Sequence, residues 1–164
     1  MPPSESRART FTETARRAQI IAAAIETVNA IGFHRASLAE IAARAQVAKS
    51  AIVYYFSSRD ALMLSVVEEV FSRMETAVAA AAVIEEGGPA ARLRAYARAY
   101  LAYVDGHRAE VTAGVEIVVS HRVEDGTPLY LLRDPEDASL LRDILRDGID
   151  EGAFRRMPLD VAVT

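Results

Sequence analysis

The chain has no cysteine, no long apolar run and no recognisable leader at its N-terminus. The absence of cysteine excludes disulfides and thiolate metal sites. No apolar stretch approaches the roughly 20 residues that a membrane-spanning helix needs. The first residues, MPPSESRARTF, lack the apolar segment of a signal peptide. We therefore expect a cytoplasmic protein without a membrane anchor.

The motifs of common enzymes and metal proteins are missing as well. The three histidines, His34, His107 and His121, lie far apart and share no metal-ligand spacing. The sequence contains no glycine-rich phosphate loop, no serine nucleophile elbow and no H-E-x-x-H motif. We therefore expect neither an enzyme nor a bound metal or cofactor.

Apolar residues, above all alanine, are abundant. They make up 51% of 164 residues, which is enough to bury a core in one domain or two small ones. Such a composition favours helix, and the apolar residues recur at helical spacing, so the predicted fold class is all-α. The predicted helices cover about 10–31, 38–44, 48–56, 61–84, 90–105 and 108–121, followed by a seventh that begins at Asp134 and Pro135 and ends at Gly152.

The stretch from Ser37 to Phe56, SLAEIAARAQVAKSAIVYYF, organises the N-terminal part of the chain. Ser37 and Glu40 form a capping box that starts one short helix. The residues 45–47 interrupt the apolar pattern, and a second short helix follows with Ile52 on its apolar face. Two such helices form a helix-turn-helix, whose second helix enters the DNA major groove. The pattern alone leaves a plain helical hairpin without a DNA role as an equal alternative.

The net charge of −4 is unevenly distributed. Residues 1–60 carry eight basic and five acidic residues, a net charge of +3, whereas residues 61–164 carry 11 basic and 18 acidic residues, a net charge of −7. A basic head on an acidic body is typical of a protein that contacts phosphates at one end only.

The first sixty residues resemble the TetR family of bacterial transcriptional regulators. The resemblance rests on the helix ending AIGF and on the segment SLAEIAARAQVAKSAIVYYFSSRDAL. It implies a three-helix, helix-turn-helix DNA-binding head followed by a helical effector-binding and dimerisation body. It also implies dimerisation. We therefore expect a homodimeric repressor that leaves a palindromic operator when it binds a small molecule. The residues in register with the family pattern are Ala45, Val47, Lys49, Tyr55 and Phe56, with Arg59 in place of the usual lysine.

Several departures from the family pattern concern the helix-turn-helix itself. Gln46 replaces the glycine of the turn, which predicts a left-handed non-glycine residue at a cost of about 1 kcal/mol. Ala48 replaces the serine that caps the recognition helix, another loss of roughly 1 kcal/mol. Ala51 and Val53 stand where the family has polar contacts, so DNA affinity or base preference is expected to differ. The chain ends at Thr164, where the family's last two helices should begin.

We expect the DNA contacts to come from two helix ends and one helix face. Ser50 and Ala51 are predicted to approach base edges, because they open the recognition helix. The predicted phosphate contacts are Lys49, Tyr54, Tyr55 and Arg59, together with the helix N-terminus at Ser37.

An effector site is predicted among helices of the body. Aromatic residues and methionine recur on facing apolar stripes, which is typical of a pocket for a small, largely apolar molecule, but also of a dry core. Glu116 in an apolar run is either a polar anchor of that pocket or an exposed residue on the outer side of its helix. The predicted ligand-binding residues are Phe71, Met74, Tyr96, Tyr100, Val115, Glu116 and Val119. The inward faces of the fifth and sixth helices are predicted to contain Leu93, Tyr96, Ala97, Tyr100, Leu101 and Val104, and Val111, Val115, Val118 and Val119.

The sequence thus predicts three segments: a disordered basic arm over 1–9, a helix-turn-helix domain over 10–57 and a helical body over 58–164. Two functions agree with them. The first is a ligand-responsive regulator that binds double-stranded operator DNA as a homodimer. The second is a helical small-molecule-binding or scaffold protein in which DNA binding is weakened or lost.

Overall fold

The structure is a computed structural model that describes residues 3–83, 87–132 and 139–159. Within these ranges the fold is all-α, as predicted, and the only extended pairing is an isolated bridge between Arg122 and Pro128. None of the described helices is both long enough and apolar enough to cross a membrane. The α-helices are α1 Pro3–Ile31, α2 Leu38–Ala45, α3 Lys49–Phe56, α4 Arg59–Val83, α5 Gly88–Gly106, α6 Arg108–Ser120 and α7 Ser139–Asp150, with short 3-10 turns at Phe33–Arg35 and Leu129–Leu132.

The first helix begins earlier than the sequence predicted. α1 starts at Pro3 and not at Thr10, where the helix was predicted to begin. Residues 3–9 are therefore helical, although a disordered arm was expected there. After Pro3 this segment contains Ser, Glu, Arg and Ala and no further proline, so nothing stops the helix from extending toward its N-terminus. Its end is where it was predicted, because Gly32 leaves the helix with φ +82°.

One compact unit combines the described residues up to Val70 with Ala109–His121. The predicted boundary at 57/58 differs from this unit, which takes in the first half of α4 and most of α6. The sequence does not indicate that α6 belongs to this unit, because α6 is far in sequence from the helices with which it forms a core. The residues that are completely buried in this core include Ile20, Ala24, Val28, Ile41, Ile52, Leu62, Met63, Val66, Ala113 and Ile117.

A second compact unit consists of Phe71–Arg108 and the described residues from Arg122 onward. Its α5 and α7 pack against each other, and the Arg92 guanidinium donates to the Asp147 carboxylate over 3.0 Å. The unit therefore has an ion-paired helix pair of its own. In the loop predicted after α6, the Thr127 amide donates to the Asp125 carboxylate, which lowers the pKa of Asp125.

The end of α7 agrees with the sequence. Ile144 and Leu145 in this helix are buried, and Gly152 follows the helix with φ +74°. The chain then folds back, since the Phe154 amide donates to the Gly148 carbonyl over 2.8 Å. The predicted start of this helix at Asp134 and Pro135 lies outside the described residues.

The predicted inward faces of α5 and α6 were partly wrong. On α6, Val115 and Val119 are 47% and 53% exposed, while Ala113 and Ile117 are completely buried. On α5, Leu101 is 67% exposed. The valines suggested one face, but α6 packs through Ala113 and Ile117, which lie at i and i+4 on another face of the helix. A prediction from side-chain volume alone therefore placed the buried face of α6 part of a helical turn away from its actual position.

Candidate nucleic-acid interface

The helix-turn-helix is formed by α2 and α3. Ile41 and Ala45 of α2 and Ile52 and Phe56 of α3 are buried in the common core. Two short helices are thus fixed by their inner faces, which leaves the outer face of α3 available. The Ser37 hydroxyl accepts the Glu40 amide over 3.2 Å, which confirms the predicted N-cap of α2.

The turn contains the predicted left-handed residue. Gln46 has φ 54° and ψ 43°, and the Val47 amide donates to the Ala42 carbonyl over 3.0 Å. This is how a helix end normally closes when glycine occupies the position. Here a residue with a Cβ takes that conformation, so the turn is strained.

We expect Gln46→Gly to raise the free energy of unfolding by roughly 0.5–1 kcal/mol, since glycine relieves the left-handed strain but adds freedom to the unfolded chain. Urea denaturation measures the difference. Gln46→Ala is the matched control, because alanine removes the side chain beyond Cβ and keeps the strain. Equal stabilisation by glycine and alanine would show that the conformation of residue 46 is not the cause.

The N-terminus of α3 has no side-chain cap. Ala48 stands at the N-cap position in an extended conformation, and its methyl group cannot accept a hydrogen bond, as its identity predicted. The Ala51 amide is bonded to the Ala48 carbonyl over 2.9 Å. The first amides of α3 therefore lack the hydroxyl that usually satisfies one of them.

The outer face of α3 carries the residues predicted to contact DNA. Lys49 and Ser50 are exposed, and Tyr54 is 76% exposed, which is unusual for so large a side chain. Lys49 is the only lysine in the chain. Ala51 and Tyr55 are half-buried, and the Tyr55 ring meets the Tyr54 ring edge to face at 5.1 Å. A cation, a hydroxyl and an exposed aromatic ring thus project from one helix face.

Arg59, another predicted phosphate contact, is engaged within the protein. Its Nε donates to the Ala36 carbonyl over 2.8 Å and its Nη2 to the Phe33 carbonyl. Its Cζ lies 4.4 Å from the centre of the Phe33 ring, and Nη1 lies 3.5 Å from the Asp60 carboxylate. The guanidinium therefore connects α4 to the turn between α1 and α2. This placement favours a structural role over a phosphate contact.

Side chains of α1 contribute to the helix-turn-helix in a way that the sequence did not predict. Gln19 donates to the Ala45 carbonyl over 2.7 Å, and Arg17 donates to the Tyr55 carbonyl over 2.8 Å. The Arg17 guanidinium also lies 4.4 Å from the centre of the Phe56 ring. These two side chains thus satisfy carbonyls at the C-terminal ends of α2 and α3. Nothing in local helical spacing points to such contacts over long sequence separations.

The predicted ligand-binding residues are distributed over both compact units. In the second unit Met74 is buried, Phe71 is half-buried, and the rings of Tyr96 and Tyr100 stack at 6.4 Å. In the first unit Glu116 accepts a hydrogen bond from the Phe33 amide. Val115 and Val119 belong to the first unit too, so the effector site remains a prediction. The part of the chain that the structure describes contains no group of three or more acidic or histidine side chains that could bind a metal.

The fold and the exposed α3 face define a helix-turn-helix protein, and comparisons with known proteins make this more specific. Residues 20–66 match the family model for bacterial regulatory proteins of the tetR family. The HTH-type transcriptional regulator BetI of Escherichia coli is 35% identical over 66 residues, which cover 40% of this chain and 34% of BetI. The chain thus spans about a third of the length of this curated relative.

Solved structures extend the likeness beyond the head. The TetR family transcriptional regulator PfmR from Thermus thermophilus has a TM-score of 0.69 at 22% identity, over 88% of this chain and 78% of PfmR. The fatty acid degradation regulator FadR from Bacillus halodurans has a TM-score of 0.74 at 20% identity, over 90% of this chain and 76% of FadR. These likenesses show the fold. The N-terminal part of the chain is thus similar to bacterial regulators of the TetR family.

Proposed function

We propose that the protein is a transcriptional regulator that inserts α3 into the major groove of double-stranded operator DNA. The observation that carries this proposal is the outer face of α3, where Tyr54 is 76% exposed next to exposed Lys49 and Ser50. The opposite face is fixed by buried Ile52 and Phe56, so the helix is both anchored and accessible. The net charge of +3 over residues 1–60 favours approach to a phosphate backbone.

The contacts have different roles in this proposal. Lys49 and Tyr54 reach phosphates on either side of the groove, whereas Ser50 and Ala51 approach base edges. The N-terminus of α2 at Ser37 offers backbone amides to a further phosphate. Tyr55 supports Tyr54 through their edge-to-face ring contact. Because one head reads only a few base pairs, two heads of a homodimer would bind half-sites of a palindrome about 34 Å apart or a multiple of it.

We expect Lys49→Ala to weaken binding to every DNA sequence and to lower the salt dependence of the binding constant by about one unit. The duplex is one that the wild-type chain selects from a random library, and affinity is measured at several salt concentrations. Arg94→Ala is the matched control, since it removes the same charge from α5 in the second unit. An unchanged salt dependence in Lys49→Ala would remove Lys49 from the interface.

The single lysine offers a direct version of this experiment. An amine-reactive label can modify only Lys49 and the N-terminal amine, so the N-terminus serves as an internal reference. We expect bound DNA to protect Lys49 and to leave the N-terminal reaction less affected. If no duplex is selected even at low salt, the alternative of a helical binding or scaffold protein without DNA binding is favoured. The strained turn at Gln46 and the uncapped N-terminus of α3 would then be the physical reason for the lost DNA binding.

We further propose that a small, largely apolar effector releases the DNA, so that the protein is a repressor. Support comes from the buried Met74 and the stacked Tyr96 and Tyr100, which offer apolar and aromatic surface in the second unit. One structural neighbour, FadR, is described as a fatty acid degradation regulator, which makes fatty acids the first compounds to test. They are added to the DNA complex in the same assay. The proposal fails if neither fatty acids nor other small apolar compounds lower DNA occupancy.

A further inference from the structure

A carboxylate of α6 is hydrogen-bonded to the DNA-binding head. Glu116 Oε1 accepts the backbone amide of Phe33 over 2.7 Å, although 83 residues separate the two in sequence. The contact is partly buried, and the neighbouring α6 residues Ala113 and Ile117 belong to the core of the same unit. An acceptor that bears a charge makes a stronger hydrogen bond than a neutral one.

The Phe33 amide belongs to the turn that connects α1 to α2. We define the Phe33–Ala36 turn as these four residues. On its other side the Arg59 guanidinium donates to the carbonyls of Phe33 and Ala36. The turn therefore receives one side chain from α6 and one from α4. Ser37, the N-cap of α2, follows it directly, so its position determines where the helix-turn-helix begins.

Further contacts hold α6 against the end of α1 and the Phe33–Ala36 turn. A Cβ added to Gly32 would lie 3.5 Å from Glu116 Oε1, so the carboxylate lies directly beside the glycine that ends α1. At the start of α6, the Asn29 side chain donates to the Ala109 carbonyl over 2.9 Å. Near its end, the buried His121 ring meets the Phe33 ring edge to face at 6.0 Å. α6 thus contacts the end of α1 and the following turn at several points.

We propose that Glu116 is a positioning residue of the DNA-binding head, which acts through the Phe33 amide and not through an effector. Without this acceptor the amide loses its partner, and the Phe33–Ala36 turn is held from the α4 side only. The position where α2 starts then becomes less defined, and so does the orientation of α3. The consequence for DNA binding rests on the proposed function, whereas the hydrogen bond itself can be tested without DNA.

Glu116→Ala and Glu116→Gln separate the hydrogen bond from the charge. Both remove the same negative charge, but glutamine keeps an acceptor oxygen at the same position. We expect Glu116→Ala to speed hydrogen exchange of the Phe33 amide and to weaken DNA affinity about tenfold, with the salt dependence unchanged. Glu116→Gln should restore most of both, because its oxygen still accepts although more weakly than a carboxylate, and Thr112→Ala, at an exposed site on the same helix, should change neither.

Three results would overturn the proposal. The first is a Glu116→Ala protein with wild-type Phe33 exchange and affinity. The second is a Glu116→Gln protein as impaired as Glu116→Ala, because the charge and not the acceptor would then matter. The third is a lower salt dependence in Glu116→Ala, which would indicate a lost phosphate contact elsewhere. If the wild-type chain selects no DNA, the proposed function fails, while Phe33 exchange in the two variants still decides whether Glu116 positions the turn.

Discussion

Replacing Arg59 with alanine is expected to lower the free energy of unfolding by about 3 kcal/mol, because two charge-assisted hydrogen bonds and a cation–π contact disappear together. The Ala36 and Phe33 carbonyls lose their shared donor, and the Phe33 ring loses the guanidinium above it. The loss falls on the turn that positions α2. Urea denaturation of the full chain measures it.

The DNA-binding experiment tests whether Arg59 has a structural role or contacts a phosphate. Its three nitrogens already face protein oxygens, so we expect Arg59→Ala to weaken DNA affinity while the salt dependence stays that of the wild type. Lys49→Ala should instead lower that dependence. Arg59→Lys is the control, since lysine keeps the charge but cannot donate to both carbonyls as the planar guanidinium does. A salt dependence reduced by about one unit in Arg59→Ala, and kept in Arg59→Lys, would restore the predicted phosphate contact.

Replacing Gly32 with alanine should cost about 2 kcal/mol of unfolding free energy, because the backbone there adopts a conformation that is essentially limited to glycine. Gly32 has φ +82° and ψ 155°. The added Cβ would lie 3.5 Å from the Glu116 carboxylate oxygen, which is an ordinary contact distance. The backbone strain, and not a collision, therefore determines the effect.

Gly106→Ala is the matched control for this substitution. A Cβ at position 106 meets nothing within 4 Å, and the residue lies in α5, so alanine should stabilise the helix by up to roughly 1 kcal/mol. Thermal unfolding of both variants measures the two changes in stability, which are expected to be a loss for Gly32→Ala and a gain for Gly106→Ala. A neutral Gly32→Ala protein would mean that the chain can leave α1 by another route, and the Phe33–Ala36 turn would not be fixed as described.

Much of the head follows from local sequence rules. The Ser37 cap and the helix end before Gly32 were predicted, because each depends on the conformational preferences of a residue and its near neighbours. The left-handed Gln46 was predicted from the resemblance, because the family has glycine in this turn. Local rules also predicted the all-α class, whereas the missing cap at Ala48 followed from the comparison with the family pattern. They were less reliable where volume and packing compete. The valines of α6 were assigned inward although the helix packs through Ala113 and Ile117.

The sequence by itself determined the helix-turn-helix, its strained turn and the residues on the outer face of α3, since all of these lie within twenty consecutive residues. Only the tertiary structure decided the roles of Arg17, Gln19, Arg59 and Glu116. Each of them donates to or accepts from a backbone group at least 23 residues away in sequence. A charged residue looks the same in sequence whether it faces phosphate, solvent or a distant carbonyl. Which of these it meets depends on how the helices pack, and helical spacing contains no information about that.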